Sequence, residues 1–317
     1  MRMLYLLLLA MPVSSGADAP SARPAQKPSL KRELAALKVP PPWLEKVQVH
    51  WDTAKPWQDA RLEVRRLLAE KGDKAKEGVK LTWLYFKKGD IGDGHELPMY
   101  LFLSGNYAWA TVEYEKRIQS GKGKEYLNLA ACYMHFGEYP KAKAMLERAL
   151  KDLPEDPWRI NALANVHNGL GDLHRDMGDL DKAREHYREA IRLYPTSNQP
   201  YGRHVLKRQA AKVQNKLDLL TMQSLATIKL EDGTYKGTSL GFNDQREIVV
   251  TLTVKDGKIA RMDVDHGEKI ELDATVLIPK RIIAKQSLQV DAITGATITS
   301  QAIIDAALQA VRQAGAR

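Results

Sequence analysis

Four hydroxyls crowd one short stretch near the C-terminus: Thr294, Thr297, Thr299 and Ser300, within Asp291-Ala292-Ile293-Thr294-Gly295-Ala296-Thr297-Ile298-Thr299-Ser300. Gly295 permits a turn with positive φ, and Ala296 leaves room for something to approach the backbone. Thr299 or Ser300 can cap a following helix. A helix that opens behind such a small-residue turn offers free N–H groups and the positive end of its dipole. Both suit a phosphate. Asp291 can brace the turn by accepting from backbone N–H groups.

Two elements must hold this turn. Ser287-Leu288-Gln289-Val290 is short and half apolar, which predicts a strand. From Ser300 to Arg312, Ile303, Ile304, Ala307, Leu308 and Val311 recur on one helical face. On geometry alone the stretch is equally a plain strand–turn–helix connection without a ligand.

The same residues resemble the flavinylation motif of the FMN-binding domain family. That family includes the periplasm-facing subunits of sodium-pumping NADH:quinone oxidoreductase and of its Rnf relatives. The family pattern is Asp, two variable residues, Ser or Thr, Gly, Ala and Thr, often with a further Ser or Thr. Here it reads Asp291, Thr294, Gly295, Ala296 and Thr297, followed by Thr299 and Ser300. Thr294 stands where Ser is common and keeps the hydroxyl. The resemblance implies that Thr297 carries covalent FMN through a phosphoester bond added by a dedicated flavin transferase. It implies that the transferase recognises Asp291, and that Thr294 and Thr299 are phosphate-side contacts or caps.

The resemblance covers roughly the last ninety residues. Asp232 to Gly237 reads as an opening hairpin. Ile248, Val250, Leu252 and Val254 alternate with Glu247, Val249, Thr251 and Thr253, the pattern of a half-buried strand. Asp256-Gly257 forms a type I′ turn. The returning strand, Lys258 to Val264, is expected to put Ala260, Met262 and Val264 on one face. Ile278 to Gln286 reads as a short helix. His266 and Glu268 follow the returning strand; they can flank a flavin, but a charged loop is the simpler reading.

Residues 1–19 read as a signal peptide: Arg2, an apolar run from Met3 to Val13, then small residues for cleavage after Ala17 or Ala19. Residues 20–30 read as a disordered linker rich in Pro, Ala and Ser. Residues 31–90 form an N-terminal, mostly helical region. Its helices are expected over Ser29 to Lys38, stopped by Pro40-Pro41-Pro42, and over Asp59 to Lys71. Val79 to Phe86 fits helix or strand. Cys132 is the single cysteine, so no internal disulfide forms.

Residues 91–222 contain an internal repeat. Gly137, Tyr139, Ala142, Leu146, Ala149 and Pro154 recur as Gly178, Leu180, Ala183, Tyr187, Ala190 and Pro195. The pattern resembles the tetratricopeptide repeat, a helix–turn–helix unit of 34 residues. The units are offset by 41 residues (178 − 137), and the extra seven fit added helical turns near Trp158 to Ala164. Ala130 and Gly171 fall where paired helices touch. A degraded third copy carries Gly105, Tyr107, Ala110 and Tyr114, with Pro98 where its first helix belongs, so that helix is expected to start late or be irregular. Arg203 to Leu220 reads as a capping helix. The expected groove is lined by Leu127, Ala131, Met134 and His135 in one unit and by Asn165, Asn168, Asp172 and Arg175 in the next.

The fold class is therefore multidomain: an all-α tetratricopeptide-repeat solenoid, then a small α+β FMN-binding domain at residues 225–317. From Leu225 onward twelve Lys/Arg balance twelve Asp/Glu, so the whole excess of nine positive charges lies upstream. Such a surface suits an acidic protein or anionic lipid and motivates an expected peripheral membrane association. No nucleic-acid motif, metal signature, haem-attachment motif or dinucleotide loop is present, and no catalytic residue is assigned. His167 and His174 read as structural. The function implied is an exported, periplasmic or otherwise extracytoplasmic flavoprotein electron carrier. Its repeats would dock a redox partner, a cytochrome or a membrane reductase. The alternative is an interaction scaffold whose FMN-binding-like domain carries no flavin.

Overall fold

The computed structural model describes residues 27–315 except 71, 93, 201, 222–228, 242, 244–245, 269–272 and 291–295. The expected signal peptide, residues 20–26 of the expected linker, and Asp291, Thr294 and Gly295 lie outside the described residues; residues 27–30 are described, and Leu30 already opens a helix. Among those described, no helix is long and apolar enough to cross a membrane.

The chain opens with α1 (Leu30–Ala36), α2 (Pro42–Lys46), α3 (Trp57–Ala69) and α4 (Asp73–Lys88). Ser29 caps α1 by accepting from the Arg32 N–H at 3.4 Å. Pro42 starts α2, where a missing N–H costs nothing. The ambiguous run at Val79 to Phe86 is helix, because Val79, Leu81, Thr82 and Tyr85 recur with helical spacing on a buried face.

Three helix pairs follow: α5 (Glu96–Leu103) with α6 (Tyr107–Gln119), α7 (Tyr126–His135) with α8 (Tyr139–Lys151), and α9 (Arg159–Asp176) with α10 (Leu180–Leu193). Pro98 sits in the first turn of the short α5, the place where a helix tolerates it. Gly137 and Gly178 end α7 and α9 in the left-handed region, at φ 73° and 81°, so the next helix can fold back antiparallel. The longer offset between units is taken up in α9, which has 18 residues against 10 in α7. Ala130, Ala142 and Ala183 are fully buried at the helix crossings. Gly171 leaves no room for a Cβ, which would lie 2.4 Å from the Tyr187 ring.

The long α11 (Arg203–Thr221) closes the stack. Beyond it lie β1 (Gly233–Ser239), β2 (Ile248–Lys255), β3 (Lys258–Asp265), α12 (Ala274–Lys285) and α13 (Thr297–Gln313). The strands form one antiparallel sheet in the order β1-β2-β3. Asp256 and Gly257 both have positive φ, 54° and 70°, as a two-residue I′ turn requires. Ile248, Val250, Leu252 and Val254 face the core as the alternation predicts.

Two local expectations are corrected. The pairing slips between Thr253 and Val254, so Ile259 faces Val254 while Arg261 faces Thr253. This bulge turns Ala260 outward and buries Ile259 in its place, with Met262. Ser287 to Val290 is not a strand but a bend; Gln289 donates its N–H to Ser287 Oγ at 3.1 Å, while Leu288 and Val290 are buried.

Candidate functional site

The site is organised by α13. The sequence marks one apolar face, yet the helix is buried almost all round: Ala302, Ile303, Ile304, Ala306, Ala307, Leu308, Ala310 and Val311 are each at most 2% exposed. Burying a side chain such as Ile303 or Leu308 contributes about 2 kcal/mol. One side lies on β1 and β2, where Gly237 allows contact: a Cβ there would sit 2.0 Å from the Ala306 carbonyl oxygen. β1 is an edge strand, and α13 satisfies its open groups. Gln313 Nε2 donates to Lys236 O at 2.7 Å, and Gln309 Oε1 accepts from the Thr238 N–H at 3.2 Å. On its other sides α13 meets α12 and α11.

The helix begins at Thr297, three residues before the position expected from the sequence. Its N-cap is Ala296, which is buried and has no side-chain acceptor. The Ser300 N–H donates to the Ala296 carbonyl at 2.8 Å, as an intrahelical bond. Thr299 and Ser300 therefore do not cap α13. They lie inside its first turn, 1% and 0% exposed, so neither is an open phosphate contact. Among the described residues, Ala296 gives the turn's N–H groups no side-chain cap, and the positive end of the helix dipole lies beside it.

Glu268 is the residue that the sequence reading set aside as part of a charged loop. It is 9% exposed and lies beneath the first turn of α13. The Thr299 hydroxyl donates to Glu268 Oε2 at 2.5 Å, and the Asn243 N–H donates to Oε1 at 2.9 Å. The Glu268 N–H in turn donates to His266 Nδ1 at 3.2 Å, and Asn243 Nδ2 donates to Gly267 O at 2.7 Å. Two glycines leave space for this knot. A Cβ at Gly241 would meet Glu268 Oε1 at 2.5 Å, and one at Gly267 would meet Asn243 Nδ2 and the Arg246 side chain at 2.9 Å. The sequence signal was this pair of glycines flanking the hairpin, the second of them directly before the acid.

The expected groove of the second repeat unit is filled from within. Asn165 accepts from the Tyr194 hydroxyl at 2.8 Å. Lys216 of α11 reaches Asn168 at 2.9 Å and both Asp172 oxygens at 2.9 and 2.8 Å. Arg175 pairs with Asp172 at 3.1 Å and Asp176 at 2.8 Å. Burial pushes the Lys216 ammonium below its ordinary range, against the attraction of Asp172. Burial also acts on Asp176, but Arg175 and Lys27 hold its carboxyl below the usual value. In the first unit Ala131 and Met134 are buried, His135 stacks on Tyr107 at 3.9 Å, and Lys27 donates to Met134 O at 2.7 Å. Among the described residues no group of three or more His, Cys, Asp or Glu is placed to hold a metal ion.

Residues 241–312 match the family model described as FMN-binding domain, and residues 125–196 match the model described as tetratricopeptide repeat. The architecture agrees: a helical repeat region, then a small domain of three antiparallel strands with helices. NADH:acrylate oxidoreductase of Vibrio harveyi is 36% identical over 91 residues, which cover 28% of this chain and 9% of that protein. No solved structure matches the chain. The N-terminus of α13, with no side-chain cap from Ala296, has the chemistry to receive an anion such as an FMN phosphate.

Proposed function

We infer, on the premise that residues 241–312 form an FMN-binding domain and residues 125–196 a tetratricopeptide repeat, that the protein is an exported flavoprotein electron carrier with FMN held covalently by Thr297. The observation that supports this most is the position of Thr297 as first residue of a 17-residue helix with no side-chain cap. On attachment, the Thr297 oxygen forms a phosphoester bond. The phosphoanhydride bond of an activated flavin nucleotide donor breaks, the nucleotide leaves with the bonding electrons, and the hydroxyl proton passes to the transferase or water. The remaining phosphodiester charge then lies by the N–H groups that open α13. Asp291, in one motif with Thr294, Gly295 and Ala296, is the residue that the flavin transferase recognises.

Bound flavin supplies reversible electron uptake, and the protein sets its position and potential. The Vibrio harveyi relative is itself named an oxidoreductase, which supports a redox use of the shared segment. NADH and acrylate are not carried over, because the match spans 9% of that protein. The repeats dock a redox partner, a cytochrome or a membrane reductase. They do so through residues other than Asn165, Asn168, Asp172 and Arg175, whose side chains are engaged within the stack: Asn165 Oδ1 by Tyr194, Asn168 and Asp172 by Lys216, and Arg175 by Asp172 and Asp176. The basic excess before Leu225 favours an acidic partner or a peripheral contact with anionic lipid.

The test is co-expression with a flavin transferase and intact-mass analysis. Wild type gains one FMN moiety, and Thr297→Ala gains none while keeping its fold. A flavin adduct on Thr297→Ala would move the site. No adduct on wild type would leave the scaffold reading, a domain of this fold without covalent flavin.

A further inference from the structure

We propose that Glu268 is a positioning residue for flavin attachment: by holding Thr299 it fixes the rotation and the first turn of α13, and so presents residue 297 to the transferase. The proposal rests on the reading of Thr297 given above. Three segments that are distant in sequence meet at this one carboxyl group. They are the β1–β2 connection through Asn243, the segment after β3 through Glu268 itself, and the start of α13 through Thr299. Both oxygens accept a hydrogen bond, the arrangement an acceptor-only carboxylate makes. Gly241 admits the carboxyl group only because it lacks a Cβ, and Gly267 likewise leaves room for Asn243 and Arg246.

The consequence follows from helix geometry. Successive residues turn about 100°, so positions 297 and 299 lie about 200° apart around the axis. Anchoring Thr299 on the buried side therefore sets the opposite side of the first turn, where position 297 stands. It also removes Thr299 as a competing acceptor, since its hydroxyl is buried and donated to Glu268. The N-cap offers no substitute anchor, because Ala296 makes no side-chain hydrogen bond. A helix start normally frays, and here a charge-assisted bond holds it at a loop an enzyme must grip.

The test uses the full chain with three variants, Glu268→Ala, Glu268→Gln and Thr299→Val, each checked for folding by circular dichroism. In the unloaded protein, exchange of the hydrogen-bonded amides from Ser300 to Ile303 is expected to accelerate about tenfold in Glu268→Ala and Thr299→Val, the factor that loss of one charge-assisted bond implies. Covalent loading by the transferase slows by a similar factor. Glu268→Gln, which keeps a carbonyl oxygen for Thr299, recovers most of the loading rate. A role in stability alone would lower the melting temperature of the three variants without this graded rescue. If wild type loads at Thr297 while Glu268→Ala and Thr299→Val load at the wild-type rate with unchanged exchange, the role of Glu268 is overturned and the covalent flavin stands. If wild type takes no flavin, both fall together.

Discussion

Replacing Gly171 by alanine, ordinarily a gain inside a helix, is expected to destabilise the repeats by about 3 kcal/mol. Helix propensity alone favours the change by about 1 kcal/mol. The new Cβ, however, would lie 2.4 Å from both Tyr187 Cδ1 and Cε1 and 3.1 Å from Cγ. Carbon atoms rest about 3.5–4.0 Å apart, so the ring or the helix must move by about 1 Å. The ring has nowhere to go: Tyr187 is fully buried, and its hydroxyl donates to Asp172 Oδ1 at 2.7 Å. Overpacking at such a crossing costs about 2 kcal/mol, and loosening a buried hydrogen bond to a charged acceptor costs about 2 more. The net of these terms is the stated loss. Urea unfolding followed by far-ultraviolet circular dichroism reads it as a lower midpoint at unchanged slope. Adding Tyr187→Leu removes the ring, so the double variant should show strong coupling between the two sites. A Gly171→Ala protein as stable as wild type, or about 1 kcal/mol more stable, would refute the helix crossing described above.

Burial raises the Asp305 carboxyl from 3.8 to about 6, against bonds from Gln301 and Asn215 and the charges of Lys212 and Lys216. A carboxyl raised on folding stabilises below its unfolded pKa and loses that contribution as pH climbs through the folded value. Asp305→Asn should therefore be more stable than wild type near pH 7.5, by up to about 3 kcal/mol, with the advantage gone near pH 3.5; melting curves at both pH values check it. His167, His174 and His186 form a cluster in which His167 Nδ1 and His186 Nδ1 lie 3.1 Å apart. Burial lowers all three, and the neighbouring imidazoles lower His186 further; Glu185, Glu189 and Asp179 oppose the shift, while Arg192, Lys182 and Lys143 add to it. Depressed imidazoles favour the fold above about pH 6.5, so the melting temperature should fall as pH drops below that value, and less so in His186→Gln. With no dinucleotide loop in the chain, NADH alone should not rapidly bleach the flavin absorbance of loaded protein in stopped flow.

Much of the sheet and of the helix pairs was legible because their signals are local. The alternation from Ile248 to Val254 and the Asp256-Gly257 turn specify a hairpin without help from elsewhere. Gly137 and Gly178 mark helix ends by backbone freedom alone. Residues whose roles depend on distant partners were misread. Thr299 and Ser300 have the chemistry of caps, but the packing of α13 on β1 and β2 carries both inside the helix. Ala260 follows the strand period, yet the bulge opposite Thr253 turns it to solvent. Glu268 reads as a loop charge until Asn243, 25 residues away, and Thr299, 31 residues away, enclose it. The groove positions Asn168 and Asp172 look open until Lys216 closes over them from α11.

One helix belongs to two cores. Val213 belongs with Tyr187 and Ala190 to the core of the last repeat, while Leu219, nearly two turns on, belongs with Leu230 and Val311 to the core of the C-terminal domain. Asp218 pairs with Arg312 at 2.7 Å, and Leu219 O accepts from Gln289 at 3.2 Å. A fragment cut at the sequence boundary near residue 225 would lose Asn215, Asp218 and Leu219, leaving Asp305 and Arg312 without the partners that close that side of α13. A piece that keeps these contacts starts upstream of α11. Strain applied to the repeats has one continuous helix, α11, through which to reach α13.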